Sequence, residues 1–79
     1  MRIMYLGPEL KGVVRHNQIF SYNPEDVIEK ACQRNPLAKH LFVDMEDIVA
    51  KKKELHTEGS LLNLTFRKIL KQEVDHGRL

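Results

Sequence analysis

Proline divides this chain. Pro8, Pro24 and Pro36 all fall within residues 1–43, as do both tyrosines, and residues 44–79 contain no proline. A proline inside a helix removes one backbone hydrogen bond and clashes with the preceding turn. Long helices are therefore confined to the second stretch, where apolar residues also recur at helical spacing. The first stretch has to be assembled from short elements between breaks. These constraints predict an α+β fold: a small antiparallel sheet with one helix over 1–43, followed by a C-terminal helical hairpin over 44–79. A chain of 79 residues makes one small domain.

Local signals place the elements. Arg2–Leu6 reads as a short strand stopped by Gly7-Pro8, a strong turn pair. Lys11–Arg15 and Gln18–Tyr22 are rich in Val, Ile, Phe and Tyr, and His16-Asn17 between them reads as the turn of a hairpin. Asn23 is placed to cap a helix with Pro24 at its first position, and Glu25 and Asp26 favour the positive end of its dipole. Val27, Ile28 and Ala31 give that helix one apolar stripe, and Asn35-Pro36 ends it. His40–Val43 follows as a strand. Asp44 then caps a helix whose apolar face holds Met45, Ile48, Val49 and Leu55. Gly59-Ser60 makes a tight joint into a last helix running to about Asp75.

Composition narrows the function classes. Leu, Ile, Val and Phe supply 24 of 79 residues, enough for a folded core but only a small one. The formal charge is +2, and it is poorly segregated: six basic against four acidic residues over 1–40, then seven against seven. That balance argues against a nucleic-acid binder working by bulk charge. A lone cysteine, Cys32, excludes an internal disulfide framework and reads as a small packing residue. No signal peptide or bilayer-length apolar run is visible, so the expected location is the cytoplasm.

Reactive constellations are missing. His16, His40, His56 and His76 stand 24, 16 and 20 residues apart, with no ligand-spaced pair, so no metal site is expected. Gly7 and Gly12 have the spacing of a phosphate loop, but Gly12 is followed by Val13-Val14 rather than lysine and a hydroxyl. No nucleophile motif or apolar-framed carboxylate pair is present. The expectation is a protein with no enzyme activity, no cofactor and no small-molecule substrate.

Two surfaces remain. Lys51-Lys52-Lys53 splays its charges about 100° apart on a helix, with Asp47 placed to pair with Lys51, and reads as a solvated face. On the last helix, Leu62, Phe66, Ile69 and Leu70 form a core stripe, which leaves Leu61, Leu64 and Val74 outside it. Apolar residues beyond one stripe mark a helix that is deeply buried or touches another chain, and so small a domain buries little on all sides. Leu61, Leu64 and Val74 are thus the candidate contacts for a protein partner or for self-association. Arg67, Lys68 and Lys71 share an arc of about 100° as a polar rim, with Asp75 placed to pair with Lys71. The same strip is the candidate surface of the alternative, a small nucleic-acid-binding or regulatory module, although no aromatic residue accompanies it for base stacking.

Three segments also carry a resemblance: Tyr5-Leu6-Gly7-Pro8-Glu9-Leu10-Lys11-Gly12-Val13, Pro36-Leu37-Ala38-Lys39-His40-Leu41-Phe42-Val43 and Glu58-Gly59-Ser60-Leu61-Leu62-Asn63. In this order the chain resembles small, mostly uncharacterised proteins of tailed bacteriophages and prophages that are often encoded among virion-structural genes. The resemblance implies a phage setting, hence a bacterial host cytoplasm, and an accessory role without enzyme activity. It carries over no functional residues.

Overall fold

The computed structural model describes residues 2–76, with Asp75 and His76 described by their backbone alone. Three short strands, β1 (Ile3–Tyr5), β2 (Ile19–Phe20) and β3 (Phe42–Asp44), form an antiparallel sheet in the order β2-β1-β3. The helices are α1 (Glu25–Arg34), α2 (Ile48–Leu55) and α3 (Leu61–His76), with 3-10 turns at Pro36–Leu41 and Met45–Asp47. The fold is α+β. No helix among the described residues is long and apolar enough to cross a membrane.

β1 is central because the sequence lets both its faces be buried. Side chains alternate along a strand, and Met4 and Tyr5, on opposite faces, are both buried. Met4 lies opposite Val43, and Tyr5 opposite Phe42 with ring centroids 4.8 Å apart. Phe20 extends this aromatic row at 6.4 Å from Phe42. Directly opposite residues on one face are the unit of sheet stabilisation, and aromatic pairs are among the better ones.

The expected hairpin is rebuilt. Lys11–Arg15 is a turn, not a strand: Leu10 and Val14 exchange backbone hydrogen bonds of 2.8 and 3.0 Å around Gly12, whose φ of +82° few other residues adopt. Closing the turn drives Leu10 and Val14 into the core instead of alternating them across a sheet. His16-Asn17 does turn the chain, with Asn17 at φ 63° and the Gln18 amide donating to the Arg15 carbonyl. It delivers β2 to β1, however, and the Asn17 and Tyr5 backbones bond across that join at 2.8 Å.

Other boundaries shift for local reasons. Pro24, not Asn23, is the N-cap of α1, and the Asn23 side chain reaches Glu25 instead. Asn35, extended as the residue before a proline should be, ends α1 and accepts the Leu37 amide at 3.1 Å. That bond, with Pro36 at the first position, starts a 3-10 turn, so the strand begins at Phe42 and His40 is an exposed turn residue rather than a strand edge. Asp44 caps as expected, accepting the Glu46 amide at 2.9 Å, but the first turn it caps is 3-10. On α2, Ile48 and Leu55 face inward, whereas Val49 is 81% exposed and lies off the expected stripe. Lys51 meets Glu54 at 3.9 Å rather than Asp47.

Candidate interaction surface

α3 is set in place at both ends. Gly59, at φ +84°, turns the chain out of α2, and the Ser60 hydroxyl accepts the Asn63 amide at 3.1 Å as the N-cap. The Asn63 side-chain amide in turn donates to the Leu55 carbonyl at 3.0 Å, tying the start of α3 to the end of α2. Near the other end, Glu73 forms a two-pronged pair with Arg34 of α1, with its closest contact at 2.8 Å. Arg34 also donates to the Lys11 carbonyl at 2.7 Å, and the neighbouring Asn35 amide bonds Gln72. One arginine thus joins α1, α3 and the Leu10–Val14 turn.

These ties fix the rotation of α3 about its axis. Leu62, Thr65 and Ile69 are buried and Phe66 is half-buried. Thr65 replaces Leu70 in the core stripe, and it can do so because its hydroxyl donates to the Leu61 carbonyl at 2.7 Å, leaving no unpaired polar group. Leu70 moves to the outside. Leu61, Leu64, Leu70 and Val74 are 69, 52, 44 and 50% exposed. All three candidate contacts therefore lie on the surface, with Leu70 as a fourth that hydrophobicity alone assigned to the core.

Arg67, Lys68 and Lys71 are exposed on the same outer face. At about 100° per residue Leu61 and Leu64 lie on one flank of the exposed side of the helix and Leu70 and Val74 on the other, with Leu61 and Leu70 about 180° apart; Arg67 and Lys71 stand between the flanks and Lys68 between Leu61 and Leu64. The basic groups are interleaved with the aliphatic ones, not ranged along their edge. Glu73, the only acid among the described side chains of α3, is turned inward on Arg34. The expected pairing of Asp75 with Lys71 lies outside the described residues.

Alternative sites are weaker. An open groove between α1 and α3 is lined by Arg34, Asn35, Gln72 and Glu73, but these side chains bond one another. Tyr5 is held protonated by burial first and by the negative charge of Glu73 second, and its hydroxyl donates to the Pro8 carbonyl at 2.8 Å, a structural bond. His16 meets the Gly7 carbonyl through Nδ1 at 2.8 Å and Phe66 edge-on at 5.9 Å, a packing role the sequence did not signal. No group of three potential ligands among the described residues could hold a metal ion. Comparison of the chain with protein-family models, with curated proteins and with solved structures gives no significant match.

Proposed function

We propose that this chain is a non-enzymatic interaction module acting by protein–protein contact through the outer face of α3. The observation that carries the reading is the exposure of four aliphatic side chains along one helix whose rotation is fixed from behind. The Cα atoms span 38 × 30 × 16 Å, and the thin dimension admits about two packed layers, so no other element among the described residues covers that side. Full burial of a Leu or Val is worth about 1.5–3 kcal/mol, so completing four half-buried ones contributes roughly 3–6 kcal/mol. With a similar contribution from the partner, less an association cost of at least about 4 kcal/mol, the contact is micromolar at its tightest. The phage resemblance supplies the setting: an accessory protein in virion assembly.

A photocrosslinking amino acid at position 61, 64 or 74, and at exposed Glu29 of α1 as control, tests the reading in the cells that make the protein. Discrete protein adducts at the α3 positions and not at 29 are expected, with virion proteins among them in the phage setting. No adducts at α3, or the same adducts at both places, would overturn it.

The competing reading assigns Arg67, Lys68 and Lys71 to a nucleic acid, and their shared exposure on one face favours it. The exposed aliphatic side chains beside them argue the other way, since a polyanion gains nothing from them. Salt-dependent binding to DNA or RNA, with the salt slope reduced by about one on Arg67→Ala, is the result that reading requires.

A further inference from the structure

We infer that the groove between α1 and α3 binds a carboxylate carried on a short aliphatic group, independently of the protein-contact reading above. The groove has a volume of about 560 Å³, within the roughly 300–1,000 Å³ usual for small-ligand sites. The bonds that run across it consume its acceptors and leave its donors. Asn35 Oδ1 accepts the Leu37 amide, Gln72 Oε1 accepts the Asn35 side-chain amide, and both Glu73 oxygens are taken by Arg34. Asn35, only 4% exposed, thus fixes which end of the Gln72 amide is engaged, and Nε2 is left to donate. Lys68 Nζ is the second such donor: among the described residues it has no carboxylate partner. Lys68 and Gln72 are four residues apart, hence neighbours on one side of α3.

A groove with donors to spare and every side-chain oxygen engaged selects an acceptor, and its charge selects which one. Arg34 and Lys68, opposed by Glu73, leave one net positive charge, which a carboxylate neutralises and a phosphate dianion overshoots. A cation would find no unengaged side-chain oxygen there. A carboxylate offers two acceptor oxygens and no donor, so the Lys68 ammonium takes one and the Gln72 amide the other. Beside these donors the lining is apolar: exposed Pro36 and half-buried Leu37 give an aliphatic stem a surface to cover. Two sources carry this chemistry, a free small carboxylic acid and the C-terminal residue of a peptide.

The full chain is titrated with N-acetylleucine, and the amide signals of Asn35 and Leu37 are followed by NMR. Saturable binding at about 0.1–5 mM is expected for a ligand of this size, and N-acetylleucinamide, which lacks the charge, should bind at least about tenfold more weakly. Lys68→Ala should weaken the acid about tenfold or more, and Lys68→Arg should stay within about threefold of the parent. Gln72→Glu keeps an oxygen for Asn35 but removes the donor, so it should weaken binding by at least about tenfold while the unfolding midpoint stays near that of the parent. A tripeptide ending in leucine with a free carboxylate separates the sources: binding more than about threefold tighter than N-acetylleucine assigns the groove to a peptide C-terminus, and binding no tighter assigns it to a free acid. Equal binding of the amide, tighter binding of inorganic phosphate, or shifts still rising linearly at about 20 mM would overturn the inference. Undiminished binding in Lys68→Ala or in Gln72→Glu would do the same.

Discussion

Replacing Gly7 by alanine adds one methyl group where the fold has no room for it. A Cβ at this position would lie 2.3 Å from the Tyr5 hydroxyl oxygen, 2.5 Å from Tyr5 Cζ and 2.7 Å from Leu41 Cδ1. Ordinary carbon contacts are about 3.5–4 Å, so the ring or the methyl must move by about 1 Å. Neither can move freely, because Tyr5 and Leu41 are fully buried and the Tyr5 ring packs on Phe42. Overpacking of this kind costs about 1–3 kcal/mol. Pulling the hydroxyl off the Pro8 carbonyl adds about 1–3 kcal/mol, and the stiffer unfolded chain returns about 0.4–1. The net loss is about 1–5 kcal/mol, a large part of the roughly 4–12 kcal/mol expected for 79 residues. Urea unfolding should show a midpoint lower by about 1 M or more with an unchanged slope, given a slope near 1 kcal/mol/M at this size. Tyr5→Phe should not rescue the variant, because Cζ and the Leu41 methyl still stand in the way. A midpoint within about 0.5 M of the parent, or full rescue by Tyr5→Phe, would refute the steric account.

Gly59→Ala should cost only about 1–2 kcal/mol, from the left-handed backbone alone, because nothing lies within 4 Å of its added Cβ; Asn should be tolerated better, as thermal melts of both variants will show. Arg34→Ala should destabilise by about 1–2 kcal/mol, with a double-mutant cycle against Glu73→Gln separating the ion pair from the bond to the Lys11 carbonyl; additive single-variant losses would deny the pairing. Tyr5 supplies a pH dependence. Burial and then Glu73 raise its folded pKa above the ordinary value of about 10, so the unfolded chain gives up that proton first. Stability is thus intact below about pH 10 and falls as pH rises beyond it. Urea midpoints measured across that range should decline in the parent chain and lose this component in Tyr5→Phe.

Much of the fold is legible because its signals are local. The break at Gly7-Pro8, the helix opened by Pro24-Glu25-Asp26 and closed at Asn35-Pro36, and the joint at Gly59-Ser60 each depend on neighbours in sequence. The strand pairing is less legible. Lys11–Arg15 has strand composition, yet Pro8 behind it and Gly12 within it favour a closed turn, and burial of Leu10 and Val14 rewards that choice. The partner of β2 is then β1, across a connection whose geometry no single residue announces. Pairings such as Asn35 with Gln72 and Arg34 with Glu73, 37 and 39 residues apart, carry no local signal at all.

Those distant polar pairs decide what the surface looks like. Hydrophobicity ranks Leu70 above Thr65 for the core, and turning α3 by about 40° would make the exchange. Burying the exposed part of Leu70 would gain about 1 kcal/mol. The same turn would carry Gln72 away from Asn35, a residue only 4% exposed, and stranding a buried amide costs about 1–3 kcal/mol. It would also expose the methyl group of Thr65, whose hydroxyl is already satisfied within the helix. Polar pairing at the C-terminal half of α3 therefore outweighs one leucine, and the rotation it enforces sends Leu70 outward beside Val74. Without Leu70 one flank of the exposed side would hold Val74 alone; with it, each flank carries an aliphatic pair, with Arg67 and Lys71 between the flanks. The surface read as a partner site thus follows from how Asn35 and Arg34 grip the other side of the helix.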